Sequence, residues 1–151
     1  PKQRGWIEPL ALVLHFCNTD EDRNKWVVYD CVMNLAEGQI VEQKSFKANT
    51  YKMLLAGFQW RSLEKGHSLK LIFKFYMEGN LVYTSVQDAV TNEPDSKDIF
   101  QQDFEVSSSM RLEGPNGVTS PFPAGRYEVE LYLKTEELDE HFVMRRTLDV
   151  R

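Results

Sequence analysis

Leu69-Lys70-Leu71-Ile72-Phe73-Lys74-Phe75-Tyr76-Met77, followed by Glu78-Gly79-Asn80, decides the fold. Leu69, Leu71, Phe73, Phe75 and Met77 fall at every second position, with Lys70, Lys74 and Tyr76 between them and Ile72 as the apolar exception. Successive side chains of a strand point to opposite faces, so this spacing describes a strand with one face in a core and one toward water. Glu78-Gly79-Asn80 then reads as a tight hairpin, because glycine accepts the positive φ that short loops require.

The same period recurs along the chain. Phe104, Val106, Met110 and Leu112 alternate with Glu105, Ser107, Ser109 and Arg111. Tyr127, Val129, Leu131 and Leu133 oppose Arg126, Glu128, Glu130 and Lys134, and Phe142, Met144, Leu148 and Val150 oppose Val143, Arg145, Thr147 and Asp149. Two runs, Leu10 to Phe16 and Trp26 to Val32, are apolar on both faces and suit central strands. Turn signals separate the runs at Glu37-Gly38, Lys65-Gly66, Gly114-Pro115-Asn116-Gly117 and Pro123-Ala124-Gly125. The expected fold is all-β, an antiparallel β-sandwich with at most one short helix near residues 49–64. That segment carries Tyr51, Leu54, Leu55 and Phe58 at helical spacing, yet also Phe58 and Trp60 at strand spacing, and Gly57 would cost a helix about 1 kcal/mol. Gln87 to Ile99 is the longest polar stretch and reads as a long loop.

The stretch Phe122-Pro123-Ala124-Gly125-Arg126-Tyr127-Glu128-Val129-Glu130-Leu131-Tyr132, with a final strand at Phe142 to Val150, resembles the closing hairpin of immunoglobulin-like and fibronectin-like sandwich modules. In those modules a Gly-x-Tyr-x-Val pattern opens the penultimate strand. The resemblance covers the last quarter of the chain and implies an immunoglobulin-like sandwich. Such modules serve mostly as binding or spacer domains, although a fold does not fix a function. The antibody pattern of a tryptophan between two distant, bridged cysteines is missing, since Cys17 and Cys31 are close in sequence.

Composition narrows the function. The 151 residues fit one domain spanning 1–151, and a start without Met suggests a mature product or a piece of a longer protein. Lys and Arg number 18 against 23 Asp and Glu, a net charge of −5, which argues against broad contact with a phosphate backbone. Two lysines, Lys70 and Lys74, fall short of the basic stripe that nucleic acid needs. No apolar run reaches the ~20 residues of a membrane span. The sequence does not distinguish a cytoplasmic from an extracellular setting, and it leaves the oligomeric state open.

Candidate chemistry is sparse. Cys17 and Cys31 lie in two apolar segments that could form a hairpin, where a bridge would close a loop of about 15 residues and contribute about 3 kcal/mol. Two buried free thiols are the competing reading. His15, two residues before Cys17, could share its face, but nothing nearby would activate the thiol. His67 and His141 read as solvent-exposed. No phosphate-binding glycine motif is present. Acidic residues collect at Asp20 and Asp22 and at Glu93, Asp95 and Asp98, the oxygen-rich composition a calcium site uses, although solvated loops explain it equally well. Trp6 and Trp60 are the aromatic candidates for a sugar site, with Tyr132 on the outward face of its strand.

These readings converge on a non-catalytic β-sandwich module for protein–protein interaction or structural support, with no catalytic residue and no cofactor. The alternative is a ligand-binding module, for calcium and membrane or for carbohydrate, using loops 18–25 and 87–99.

Overall fold

Glu78 and Gly79 both take positive φ, 49° and 81°, between the paired residues Met77 and Asn80. This two-residue turn matches the right-handed twist of the strands it joins. They are β5 (Ser68–Met77) and β6 (Asn80–Val90). The structure is a computed structural model and describes residues 6–18, 30–34, 45–91, 103–113, 117–137 and 139–151, with the backbone alone at 30–34 and 103–106. The described residues are all-β, with no α-helix among them.

The remaining strands are β1 (Ile7–Asn18), β2 (Asp30–Asn34), β3 (Ser45–Phe46), β4 (Met53–Ser62), β7 (Asp103–Met110), β8 (Leu112–Glu113), β9 (Thr119–Ser120), β10 (Gly125–Lys134) and β11 (His141–Val150). One sheet has the order β2-β1-β4-β7 and is antiparallel. The other has the order β3-β11-β10-β5-β6, antiparallel except where β3 runs parallel to β11. β8 and β9 form a separate short ribbon.

Both sheets feed one core. Leu12, Leu14 and Phe16 of β1 and Ala56, Phe58 and Trp60 of β4 join Leu71, Phe73 and Phe75 of β5 and Val129 and Leu131 of β10. The alternating rows of β5 and β10 thus bury the residues their period predicts. At one end Phe16 gathers Phe46, Phe122 and Tyr127 around it, with ring centroids 4.7, 5.4 and 6.0 Å away. On its other face β1 buries Ala11 and Val13.

Residues 49–64 are not helical: Met53–Ser62 is β4. The strand lies between β1 and β7, and Met53, Leu54, Ala56, Gly57, Phe58 and Trp60 are all buried. Leu54, Ala56, Phe58 and Trp60 enter the core at every second position, and the helical spacing arises because Met53 and Leu55 on the opposite face are apolar as well. Gly57 sits between Val13 and Ser107 in neighbouring strands.

The expected loop at 87–99 is also shorter. Residues 87–90 continue β6, and 92–99 lie outside the described residues. β6 closes one end of its sheet, so its polar residues face water, and Asp88 bonds Lys70 at 2.9 Å. β2, expected as a central strand, ends the order of the other sheet. In β11 the inward row slips: Leu131 pairs with Met144 but Tyr132 with Phe142, so Val143 is an extra residue. This bulge turns Phe142 outward, 47% exposed, while Leu148 and Val150 regain the core.

The start of β10 is bound to the β5–β6 turn. Glu78 donates its backbone N–H to the carbonyl of Arg126 (2.9 Å), and its carboxylate accepts the Arg126 N–H (2.7 Å). Gly125 has φ +158°, which favours glycine, and a Cβ there would lie 2.5 Å from Glu78 Oε1, so a larger residue would displace the carboxylate that holds the Arg126 N–H. Tyr127, 1% exposed, donates its hydroxyl to the carbonyl of Pro123 at 2.6 Å.

Candidate functional site

The outer face of the five-stranded sheet carries the densest polar network among the described residues. Strand register builds it. On β5 and β10, Ile72 lies beside Tyr132, Lys74 beside Glu130 and Tyr76 beside Glu128. On β10 and β11, Tyr132 lies beside Phe142 and Glu130 beside Arg145. Lys74 Nζ stands 4.2 Å from the centre of the Tyr132 ring and 3.1 Å from Glu140. The Tyr132 hydroxyl donates to Glu130 at 3.0 Å, and Phe142 meets the Tyr132 ring edge-on at 5.8 Å. Arg145 lies 3.2 Å from Glu128, 3.9 Å from Glu130, and over the Phe142 ring at 5.6 Å.

This network is closed on itself. Burial, followed by its hydrogen bond to Glu130 and the charge of that carboxylate, pushes the Tyr76 hydroxyl up to about 12. Tyr132 is raised for the same leading cause, burial, again with Glu130 next. Both tyrosines therefore stay protonated at neutral pH and act as donors, not as bases or nucleophiles. Lys74 and Arg145 are engaged with carboxylates and rings, so both cations of this network are already partnered.

The edge of the same sheet is different. Leu81, Val82, Tyr83, Val86 and Val90 of β6 are 52, 44, 44, 53 and 58% exposed. Among the described residues β6 pairs with β5 on one side only. Along residues 80–90 the sole charged side chain is Asp88, already bonded to Lys70. Proteins usually blunt such an edge with charges, prolines or bulges. The stretch of β11 that β3 does not cover follows that rule with Arg145 and Arg146, whereas β6 has one bulge, at Val82, where Phe75 pairs with Tyr83 but Tyr76 with Leu81. Where β6 ends, a cavity of about 420 Å³ opens between Leu69, Lys70, Asp88, Val90 and Lys134.

The residues singled out from sequence scatter. Asp20, Asp22, Glu93, Asp95 and Asp98 lie outside the described residues. Among the described residues no group of three His, Cys, Asp or Glu is placed to hold a metal ion. Cys17 is disulfide-bonded, and Cys31, the only other cysteine, is its partner in the β1–β2 register. Trp60 is 2% exposed and stacked on Phe58, so it offers no ring to a sugar. Trp6 is half-buried, with one face covered by His67 at 4.0 Å and 8°. His67, expected in solvent, is held by that stacking, and its backbone N–H donates to Thr91 Oγ1 at 2.8 Å. The β6 edge was missed, although Leu81-Val82-Tyr83, Val86 and Val90 with a single acid among them already carry its signature.

Compared with known protein families and with curated proteins, the chain matches none.

Proposed function

We propose that the chain is a non-catalytic, immunoglobulin-like β-sandwich module whose work is protein–protein interaction, carried out by adding a strand from its partner to β6. The observation that carries this is the β6 edge, paired by no further strand among the described residues, with its exposed Leu81, Val82, Tyr83, Val86 and Val90. An added strand gains backbone hydrogen bonds from the edge and selectivity from alternate side chains.

Strand order supports the immunoglobulin-like part. β4 beside β7 occupies the places of strands B and E, and β11-β10-β5 those of G, F and C, with β6 as an extra strand beside C as in variable-type domains. The hydroxyl of Tyr127 reaching back to Pro123 corresponds to the tyrosine corner of that architecture.

Extended peptides of 9–12 residues, selected by display against the protein, test the reading. Binders should slow amide exchange at residues 80–90 and be lost with Val86→Pro, but survive Phe142→Ala on the sheet face. Binders that protect another strand would overturn it.

A further inference from the structure

The apolar edge of β6 suits one partner in particular. We infer that a second copy of this chain pairs with β6, antiparallel, across a two-fold axis at Val86, joining two five-stranded sheets into one. This rests on the strand-addition reading and names its partner.

A two-fold axis perpendicular to the sheet keeps each outer face outward. Residues that pair must then share a face, so the axis passes through a residue and not between two. Beyond the bulge at Val82, β6 runs without interruption from Tyr83 to Val90. An axis at Val86 is centred on residues 83–89 of that stretch. It sets Val86 against itself, Tyr83 against Ala89 of the second copy, Ser85 against Gln87 and Thr84 against Asp88. Each pairing is compatible: a large ring meets a small residue, a hydroxyl meets a carboxylate, and two valines meet at the axis. Ser85 and Gln87 already bond each other within the chain at 3.0 Å, a bond that can be exchanged for one across the axis.

Neighbouring registers are worse. An axis at Gln87 sets Val86 against Asp88, one at Ser85 keeps only residues 83–87 of the regular stretch paired, and one at Asp88 sets two carboxylates face to face. Like charges directly opposite destabilise a sheet pair. The chain carries −5, so copies repel in general, yet at this edge Asp88 is held by Lys70 and faces a threonine. Pairing over residues 83–89 supplies about six to eight backbone hydrogen bonds, within the roughly ten of an ordinary interface, and covers the exposed Tyr83 and Val86 of β6.

Sedimentation equilibrium of the 151-residue chain, from low micromolar to several hundred micromolar, tests this. A monomer–dimer equilibrium is expected. Val86→Lys brings two ammonium groups together at the axis and should weaken the dimer at least about tenfold, with the thermal melt of the dilute monomer unchanged. Val86→Cys should form a cross-linked dimer under mild oxidation, because the axis brings position 86 opposite itself, while Val90→Cys should not. A monomer at every concentration, or a dimer indifferent to Val86→Lys, overturns the inference. If peptides still protect residues 80–90 of such a monomer, strand addition stands and only the second copy is refuted; if none do, both fall.

Discussion

Removing the Tyr127 hydroxyl isolates one bond. In Tyr127→Phe the ring keeps its places against Phe16 and Phe122, at 6.0 and 5.5 Å, and only the 2.6 Å bond to the Pro123 carbonyl is lost. A hydrogen bond contributes about 1 kcal/mol net, and an acceptor left without its donor costs more, so the expected loss is about 1–2 kcal/mol at neutral pH. A second signature comes from titration. Burial first, and the Glu78 charge second, push the Tyr127 hydroxyl up to about 12. Its folded value lies above the unfolded one of about 10, so the hydroxyl favours the fold fully below pH ~10. That contribution is lost as pH rises toward 12 and is on the order of 2–3 kcal/mol. Phenylalanine does not titrate. The advantage of wild type over the variant should therefore shrink above pH ~10 and vanish near pH 11.5, while the raised Tyr76 affects both proteins alike. Urea denaturation followed by tryptophan fluorescence at a series of pH values measures this. A variant within about 0.5 kcal/mol of wild type at pH 7, or a difference that stays constant to pH 11.5, would refute the reasoning.

Other expectations follow from named contacts. Gly125→Ala meets Glu78 Oε1 at 2.5 Å and a φ of +158°, and should lower stability by about 1–3 kcal/mol; a melt that Glu78→Ala fully restores would leave the backbone without a share. Reducing the disulfide at Cys17 should lower the urea midpoint by the equivalent of about 3 kcal/mol if Cys31 closes the loop, and peptide mapping without reduction identifies the partner. Trp60→Ala should cost about 3–5 kcal/mol, whereas Phe142→Ala, at a 47% exposed site, should stay within about 0.5 kcal/mol; chemical denaturation of both separates core from surface.

The rows of β5 and β10 were legible because each has one wet face, which preserves the period of two. β4 was not, since Met53 and Leu55 add apolar residues to the face opposite Leu54, Ala56, Phe58 and Trp60 and blur the period. The end of β6 was hidden for the opposite reason: an edge strand at the surface tolerates the polar residues of a loop. Phe142 was placed inward because a period cannot announce an extra residue such as Val143, and only the register exposes the slip. Trp60 and His67 show the limit for sites. Their chemistry is visible in sequence, but whether a ring is free depends on Phe58 and Trp6 covering it. The β6 edge is marked in the sequence by a scarcity of charge, Asp88 alone over residues 80–90, and not by any acid cluster or aromatic pattern.

The pairing of β3 with β11 has a consequence for synthesis. It ties Ser45 and Phe46 to Asp149 and Val150, and Arg151 completes the tie by donating to Phe46 and accepting from Ala48. The β5–β6 hairpin, closed by its two-residue turn, can form within about 1–10 μs of leaving the ribosome. The strands that complete its sheet, β10 and β11, emerge several seconds later at about 5–20 residues per second. Through that interval the apolar edge of β6 is already presented while the sheet behind it is unfinished. A nascent chain is thus exposed to premature pairing between neighbours on one messenger, and slower elongation between residues 90 and 125 would lengthen the exposure.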